Sequence, residues 1–254
     1  MRNILRLIWF DLKPDLKPPT WIIMQWAVFL IQVGVYGAII SQLVSIQGLD
    51  YRQFFAVGLV IMIAFEMASH TGRHFVEHAH EGRLPYLLSL PISRSQLFLT
   101  IALQGATELA LMLAVPLTVT LLMIGNLTWM SVVACVLSLF FLGFGVAGLM
   151  LGLSFIAFKS SDLYTAFVTG LSAIIIRFST VLYPFFALPP QYAPAAAFSP
   201  LTYGSDLVRF ILGFDPSILL DPYYAVAVLA ALAVCTLGLG MILVERLVEG
   251  VKSA

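Results

Sequence analysis

Residues 81–94 read Glu81-Gly82-Arg83-Leu84-Pro85-Tyr86-Leu87-Leu88-Ser89-Leu90-Pro91-Ile92-Ser93-Arg94. They form a short, half-polar segment between two long apolar runs, and their reading decides the fold. A chain that only had to sit in lipid would join such runs with a few polar residues. This segment instead carries an apolar Leu84/Leu87/Leu88 patch, then Pro91 as a stop, then Ser93-Arg94. It reads as a helix lying across the cytoplasmic mouth of a membrane domain, with its apolar patch offered outward.

Composition agrees. Of the 254 residues, 61% are apolar and only 10% charged, against the ~25% charged of an ordinary soluble domain. A mean hydropathy of +1.00 points to a polytopic membrane protein. The formal net charge is zero, so nothing indicates nucleic acid. Cys135 and Cys235 both fall in apolar runs and read as small packing residues rather than a disulfide.

Outward from residues 81–94, the pattern predicts an all-α membrane domain over 1–254. Residues 1–19 place Ile4, Leu5, Ile8 and Leu12 on one helical face and Arg2, Arg6 and Lys13 on the other, before Pro14 ends the helix. This is an amphipathic helix lying on the membrane; the run that follows is too long for a signal peptide. Six spans are expected, each near or above the ~20 residues that cross the hydrocarbon core. They fall at 20–45, 53–75, 97–124, 130–157, 163–187 and 222–244. The first two therefore occupy 20–75, a cytoplasmic loop 76–96, spans three to five 97–187, an external segment 188–221, and span six with a tail 222–254. Ten of the 13 Lys and Arg then lie on the side of the N-terminus, Arg52 and Arg209 lie opposite, and Arg177 falls within span five. The positive-inside rule puts both termini in the cytoplasm.

The external segment contains Pro189-Pro190, Pro194, Pro200 and Pro216 around an apolar stretch, Leu207–Leu212. It is too short and interrupted for two further spans and reads as one or two short re-entrant helices. Gly148 and Gly152, preceded by Gly143 and Gly145, form a small-residue stripe for close packing. Gly34/Gly37 and Gly238/Gly240 are candidates for the same role.

Ionisable groups inside lipid are expensive and are functional candidates by default. Glu66, Glu108 and Arg177 fall near the middle of spans two, three and five. A buried arginine asks for a carboxylate, so Arg177 is expected to pair with Glu66 or Glu108. The pair would either lock the bundle or line a path. All four histidines lie in one stretch, His70, His74, His78 and His80. The first three recur every four residues, a helical spacing that suits a metal. They read either as such a site or as a polar helix end at the interface; membrane di-iron oxygenases need about twice as many histidines over several segments. No phosphate-loop motif, nucleophile elbow or H-E-x-x-H helix is present.

Two motifs in this layout carry a resemblance. Glu81 and Gly82 precede the Leu87-Leu88 pair and Pro91-x-Ser93-Arg94. Leu188-Pro189 is followed by Ser199-Pro200-Leu201-Thr202-Tyr203, Asp206 and Arg209. The chain is similar, over almost its whole length, to the permease subunits of type-two ABC exporters, the nodulation-factor, drug-resistance and polysaccharide class. It departs from their pattern where Arg83 replaces a threonine, where Pro85 is added, and where Ser199 replaces the usual asparagine. The resemblance implies two permease chains and two separate cytoplasmic ATPase subunits, with ATP and Mg bound by the ATPases and no cofactor on this chain. It implies a coupling helix formed by Glu81, Gly82, Leu84, Leu87, Leu88, Pro91, Ser93 and Arg94, seated on the ATPase. It further implies a path at the permease interface from spans one, two and five, a non-catalytic role, and a prokaryotic plasma membrane. The substrate would be a lipid, a lipid-linked glycan or a hydrophobic drug. A membrane metalloenzyme using His70–His80, or an assembly factor without transport, are the alternatives.

Overall fold

The computed structural model describes residues 20–43, 50–80, 94–125, 128–156, 161–214 and 221–252. The expected interfacial helix and coupling-helix residues Glu81, Gly82, Leu84, Leu87, Leu88, Pro91 and Ser93 lie outside the described residues. Arg94 opens a helix. Among the described residues the fold is helical, without strands.

In chain order, α1 (Thr20–Ile31) runs through a π turn (Gln32–Tyr36) into α2 (Gly37–Leu43). Then come α3 (Tyr51–His80), α4 (Arg94–Ile124), α5 (Trp129–Ile156) and α6 (Ser161–Arg177). Two single 3-10 turns (Phe185–Ala187 and Pro190–Tyr192) lead to α7 (Ala193–Phe198), α8 (Pro200–Ile211) and α9 (Pro222–Lys252). Four stretches are long and apolar enough to cross a membrane: Thr20–Gln42, Tyr51–Glu77, Leu103–Ile124 and Trp129–Ser154. They coincide with the first four expected spans to within a few residues.

The region of the fifth expected span differs. Its helix stops at Arg177 after 17 residues, not near 187. The apolar run does continue, but Ser179 and Thr180 turn their hydroxyls onto neighbouring backbone and side chains, and Pro184 is itself extended, with ψ 150°. The irregular segment thus begins ten residues earlier than hydropathy suggests.

α3 is the axis of the bundle. Of its most apolar stretch 72% is buried, against 22% for α1–α2, 28% for α4 and 50% for α5. It packs on α4, α5, α6 and α8, and α5 in turn carries α9. Small residues set these distances. A Cβ at Gly148 would meet Thr236 Oγ1 at 2.5 Å, and one at Gly145 would meet Leu232 at 2.9 Å, so the α5 stripe seats α9. Gly34 and Gly238 have nothing within 4 Å of a Cβ position, so neither serves the close packing expected of it. Gly72 lets the Tyr164 hydroxyl reach the Ser69 carbonyl at 3.2 Å and that of Met150 at 3.4 Å, tying α6 to α3 and α5. Gly58 faces the Val181 carbonyl so closely that any side chain would collide with backbone.

Gly58→Ala should therefore destabilise the protein by about 1–3 kcal/mol, the cost of overpacking against an atom that cannot swing away. Gly170→Ala, at an α6 position open to space, should be neutral or gain about 0.5–1 kcal/mol from helix propensity. Thermal unfolding of the two variants in detergent checks the contrast.

Candidate functional site

Two polar assemblies interrupt the apolar bundle: a buried lock where α6 breaks, and a cavity between α3 and α6.

The lock is built on α8. Pro200 occupies its first turn, where a missing N–H costs nothing. Gly213, at φ 87°, closes its other end: the Phe214 N–H donates to the Arg209 carbonyl at 2.9 Å and that of Gly213 to Phe210 at 3.1 Å. Between these ends Thr202, Ser205, Asp206 and Arg209 are fully buried. Arg209 donates to the carbonyls of Thr180 and Val181, both at 2.6 Å, and reaches that of Phe54 at 3.5 Å. Its guanidinium lies 3.5 Å from the centroid of the Phe54 ring. The Tyr51 hydroxyl takes the next carbonyl, Leu182, at 2.8 Å. The Thr180 hydroxyl donates to Asp206 Oδ1 at 3.1 Å and lies 2.9 Å from Ser205 Oγ, while its N–H donates to Thr202 Oγ1 at 3.3 Å. Three successive carbonyls of non-helical backbone are thus each satisfied by a side chain from α8 or α3.

Every polar member of the 199–209 motif has a place in this structure. Arg209, expected in the re-entrant segment on the outer side, is wholly buried. Tyr203 donates to the Ala197 carbonyl at 2.7 Å and stands against Tyr224, joining α7, α8 and α9. Leu201 is core. Ser199 does not cap α8; its hydroxyl reaches back to the Ile175 carbonyl at 3.4 Å. Sequence reasoning missed Tyr51, Phe54 and Thr180, which supply the other half of the lock.

The cavity, about 530 Å³, runs along facing stripes of two antiparallel helices. α3 contributes Glu66, Ser69, His70 and Arg73; α6 contributes Thr165, Thr169, Ser172 and Arg177. It extends from the level of Met62 to that of Arg73, ~17 Å at 1.5 Å per residue. Arg73, Thr169 and Arg177 are exposed, so it opens sideways. The α6 stripe was legible, since polar residues recur at helical spacing in an otherwise apolar segment.

The charges are arranged differently from the expected pairing. Arg177 makes no ion pair with Glu66 or Glu108 among the described residues. It ends its helix, donates to the Ala173 carbonyl at 3.3 Å and sits where the helix dipole favours a cation. Glu108 accepts from Gln104 at 3.1 Å and lies 3.9 Å from His74 Nε2. Glu77 binds Arg73 at 2.7 Å and stands 3.7 Å from His74. This cluster ties the last turns of α3 to the middle of α4. Glu66 shares the cavity with Arg177, and no hydrogen bond or ion pair of its carboxylate is present among the described residues.

The histidines diverge. His70 lines the cavity beside Trp21, ring centroids 6.2 Å apart; His74 faces Glu77 and Glu108; the side chain of His78 lies outside the described residues. Among the described residues no group of three or more His, Cys, Asp or Glu side chains could hold a metal ion. No protein-family model matches the chain, and no curated protein matches it.

Replacing Arg209 with Ala should cost about 2–4 kcal/mol, because buried carbonyls lose their charged donor. Arg209→Lys should recover only part, since an ammonium cannot fork across two carbonyls while stacking on Phe54. Thermal midpoints, with protease cleavage between residues 178 and 190 as the local readout, test this order.

Proposed function

We propose that this chain is the membrane-spanning permease subunit of an ATP-binding-cassette exporter. The observation that carries the reading is the 199–209 motif, whose Thr202, Tyr203, Asp206 and Arg209 all serve one buried re-entrant element (α8) beside a helix that breaks inside the bundle. In this reading α6 and the Pro222–Thr236 part of α9 complete a six-span layout, both termini face the cytoplasm, and the host membrane is a prokaryotic plasma membrane. Two copies of the chain, or this chain and a related one, would pair with two cytoplasmic ATPase subunits that bind ATP and Mg. The chain itself is not an enzyme.

The mechanics follow from the parts. Residues 81–94 connect α3 to α4, so a push there is delivered to both helices. The Arg73–Glu77 pair lies in the last turns of α3, and the His74–Glu108 approach joins those turns to the middle of α4, so that the two helices would move together. α3 is also the helix that the lock and the Tyr164 hydroxyl tie to α8, α6 and α5. Motion delivered to α3 would therefore reach the α3–α6 cavity, which α3 itself lines. The substrate would be a lipid, a lipid-linked glycan or a hydrophobic drug.

Tagged chain expressed with its native neighbours and purified in mild detergent should carry an ATPase subunit and hydrolyse ATP. Leu87→Glu with Leu88→Glu should shed that subunit while leaving the thermal midpoint of the membrane domain unchanged. A chain that purifies alone, or that holds stoichiometric iron or zinc, would overturn the reading.

Glu108→Ala should leave the ATPase bound but lower substrate-stimulated hydrolysis severalfold, because α3 and α4 lose a shared polar contact worth about 1 kcal/mol. Hydrolysis measured with and without a transported lipid checks it.

A further inference from the structure

The α3–α6 cavity holds two charges that the protein leaves unmatched. Arg73, its third charged residue, is neutralised by Glu77 at 2.7 Å. Glu66 has no polar partner among the described residues, and Arg177 has only a carbonyl of its own helix at 3.3 Å. Both line the same 530 Å³ space. The carboxylate on α3 and the guanidinium on α6 face one cavity from its two helices, and a ligand carrying both opposite charges can engage both.

Arg177 has a second neighbour. It also lines a smaller cleft of about 280 Å³ with Phe178, Tyr183, Leu188, Pro189 and Tyr192. Phe178 and Tyr192 stand 5.6 Å apart there, ring to ring. One guanidinium is therefore a shared wall between the membrane cavity and an aromatic cleft beyond the end of α6. A planar five-donor group suits a phosphate and can exchange oxygens between its two sides.

We propose that the cavity binds an amphiphile with a zwitterionic head group, its ammonium against Glu66 and its phosphate on Arg177, and that Arg177 passes the phosphate into the aromatic cleft. Thr169 and Ser172 hydroxyls flank the head, and the sideways opening lets the acyl chain remain in lipid. The proposal deepens the exporter reading and rests on it for the fate of the ligand; the binding itself needs no ATPase.

The test is native mass spectrometry of the full chain in maltoside micelles. The probes are lysophosphatidylethanolamine, lysophosphatidic acid, hexadecyltrimethylammonium and chain-free glycerophosphoethanolamine. The zwitterionic lipid should bind wild type at the lowest concentration. Glu66→Gln and Arg177→Gln should each weaken it about tenfold, the loss of one charged contact. Their preferences should then split: Glu66→Gln toward lysophosphatidic acid, Arg177→Gln toward the ammonium amphiphile. Wild type that prefers a singly charged amphiphile, or that binds all three alike, overturns the proposal whatever the variants do. Equal binding of glycerophosphoethanolamine would overturn the amphiphile, and variants that keep the wild-type order would overturn the two named contacts. Failure here with an ATPase retained would leave the exporter reading intact; success without an ATPase would leave only the ligand's export in question.

Discussion

Backbone that leaves a helix inside an apolar bundle must have its carbonyls satisfied, and water is not there to do it. At residues 180–182 the obligation falls on Arg209 and Tyr51. Much else follows from this. Arg209 needs a counter-charge, and Asp206 stands one helical turn before it on α8. Asp206 accepts from Thr180, which closes the lock. Position 58 must be glycine because the Val181 carbonyl presses on it, and residue 54 offers both a ring for the guanidinium and a carbonyl beneath it. The carbonyls of the irregular segment are thus held by side chains, as those of the helices are held by backbone.

The two arginines at the ends of α6 and α8 show what placement does to one side chain. Arg209 is wrapped by three carbonyls and a ring, and it is structural. Arg177 has one weak bond to its own helix and faces two cavities. The same guanidinium chemistry holds the fold together in one place and leaves donors exposed in the other.

Hydropathy alone reveals the first four spans, because each is a long apolar run bounded by polar turns. It misplaces the end of α6 by ten residues: Val181–Leu188 continues the apolar run, and the break comes from tertiary capture of carbonyls by residues far away in sequence. The same error moved Arg177 to mid-span and suggested a pairing with Glu66 or Glu108. A regular histidine spacing likewise says nothing of which neighbours each ring meets; His70 and His74 lie on adjacent turns and face different helices. The 199–209 motif identified α8's buried polar residues, but not Tyr51, Phe54 or Thr180, which come from other elements and carry no pattern of their own. The Thr165/Thr169/Ser172 stripe is legible as a helical spacing, but hydroxyls satisfy themselves on helix carbonyls and so do not by themselves mark a cavity.

The π turn at Gln32–Tyr36 has a consequence for the first helix. One extra residue in a turn rotates everything after it by ~100° relative to a continuous α-helix. Before the turn, Trp26 and its neighbours address α4, the indole N–H reaching the Met112 carbonyl at 3.1 Å. After it, Gly37 sits on Arg52 and Phe55 of α3. A single, largely apolar stretch of 23 residues therefore carries two docking faces out of phase. Twisting it about its axis cannot improve both contacts together, and such a helix is fixed in rotation even though most of its surface is bare.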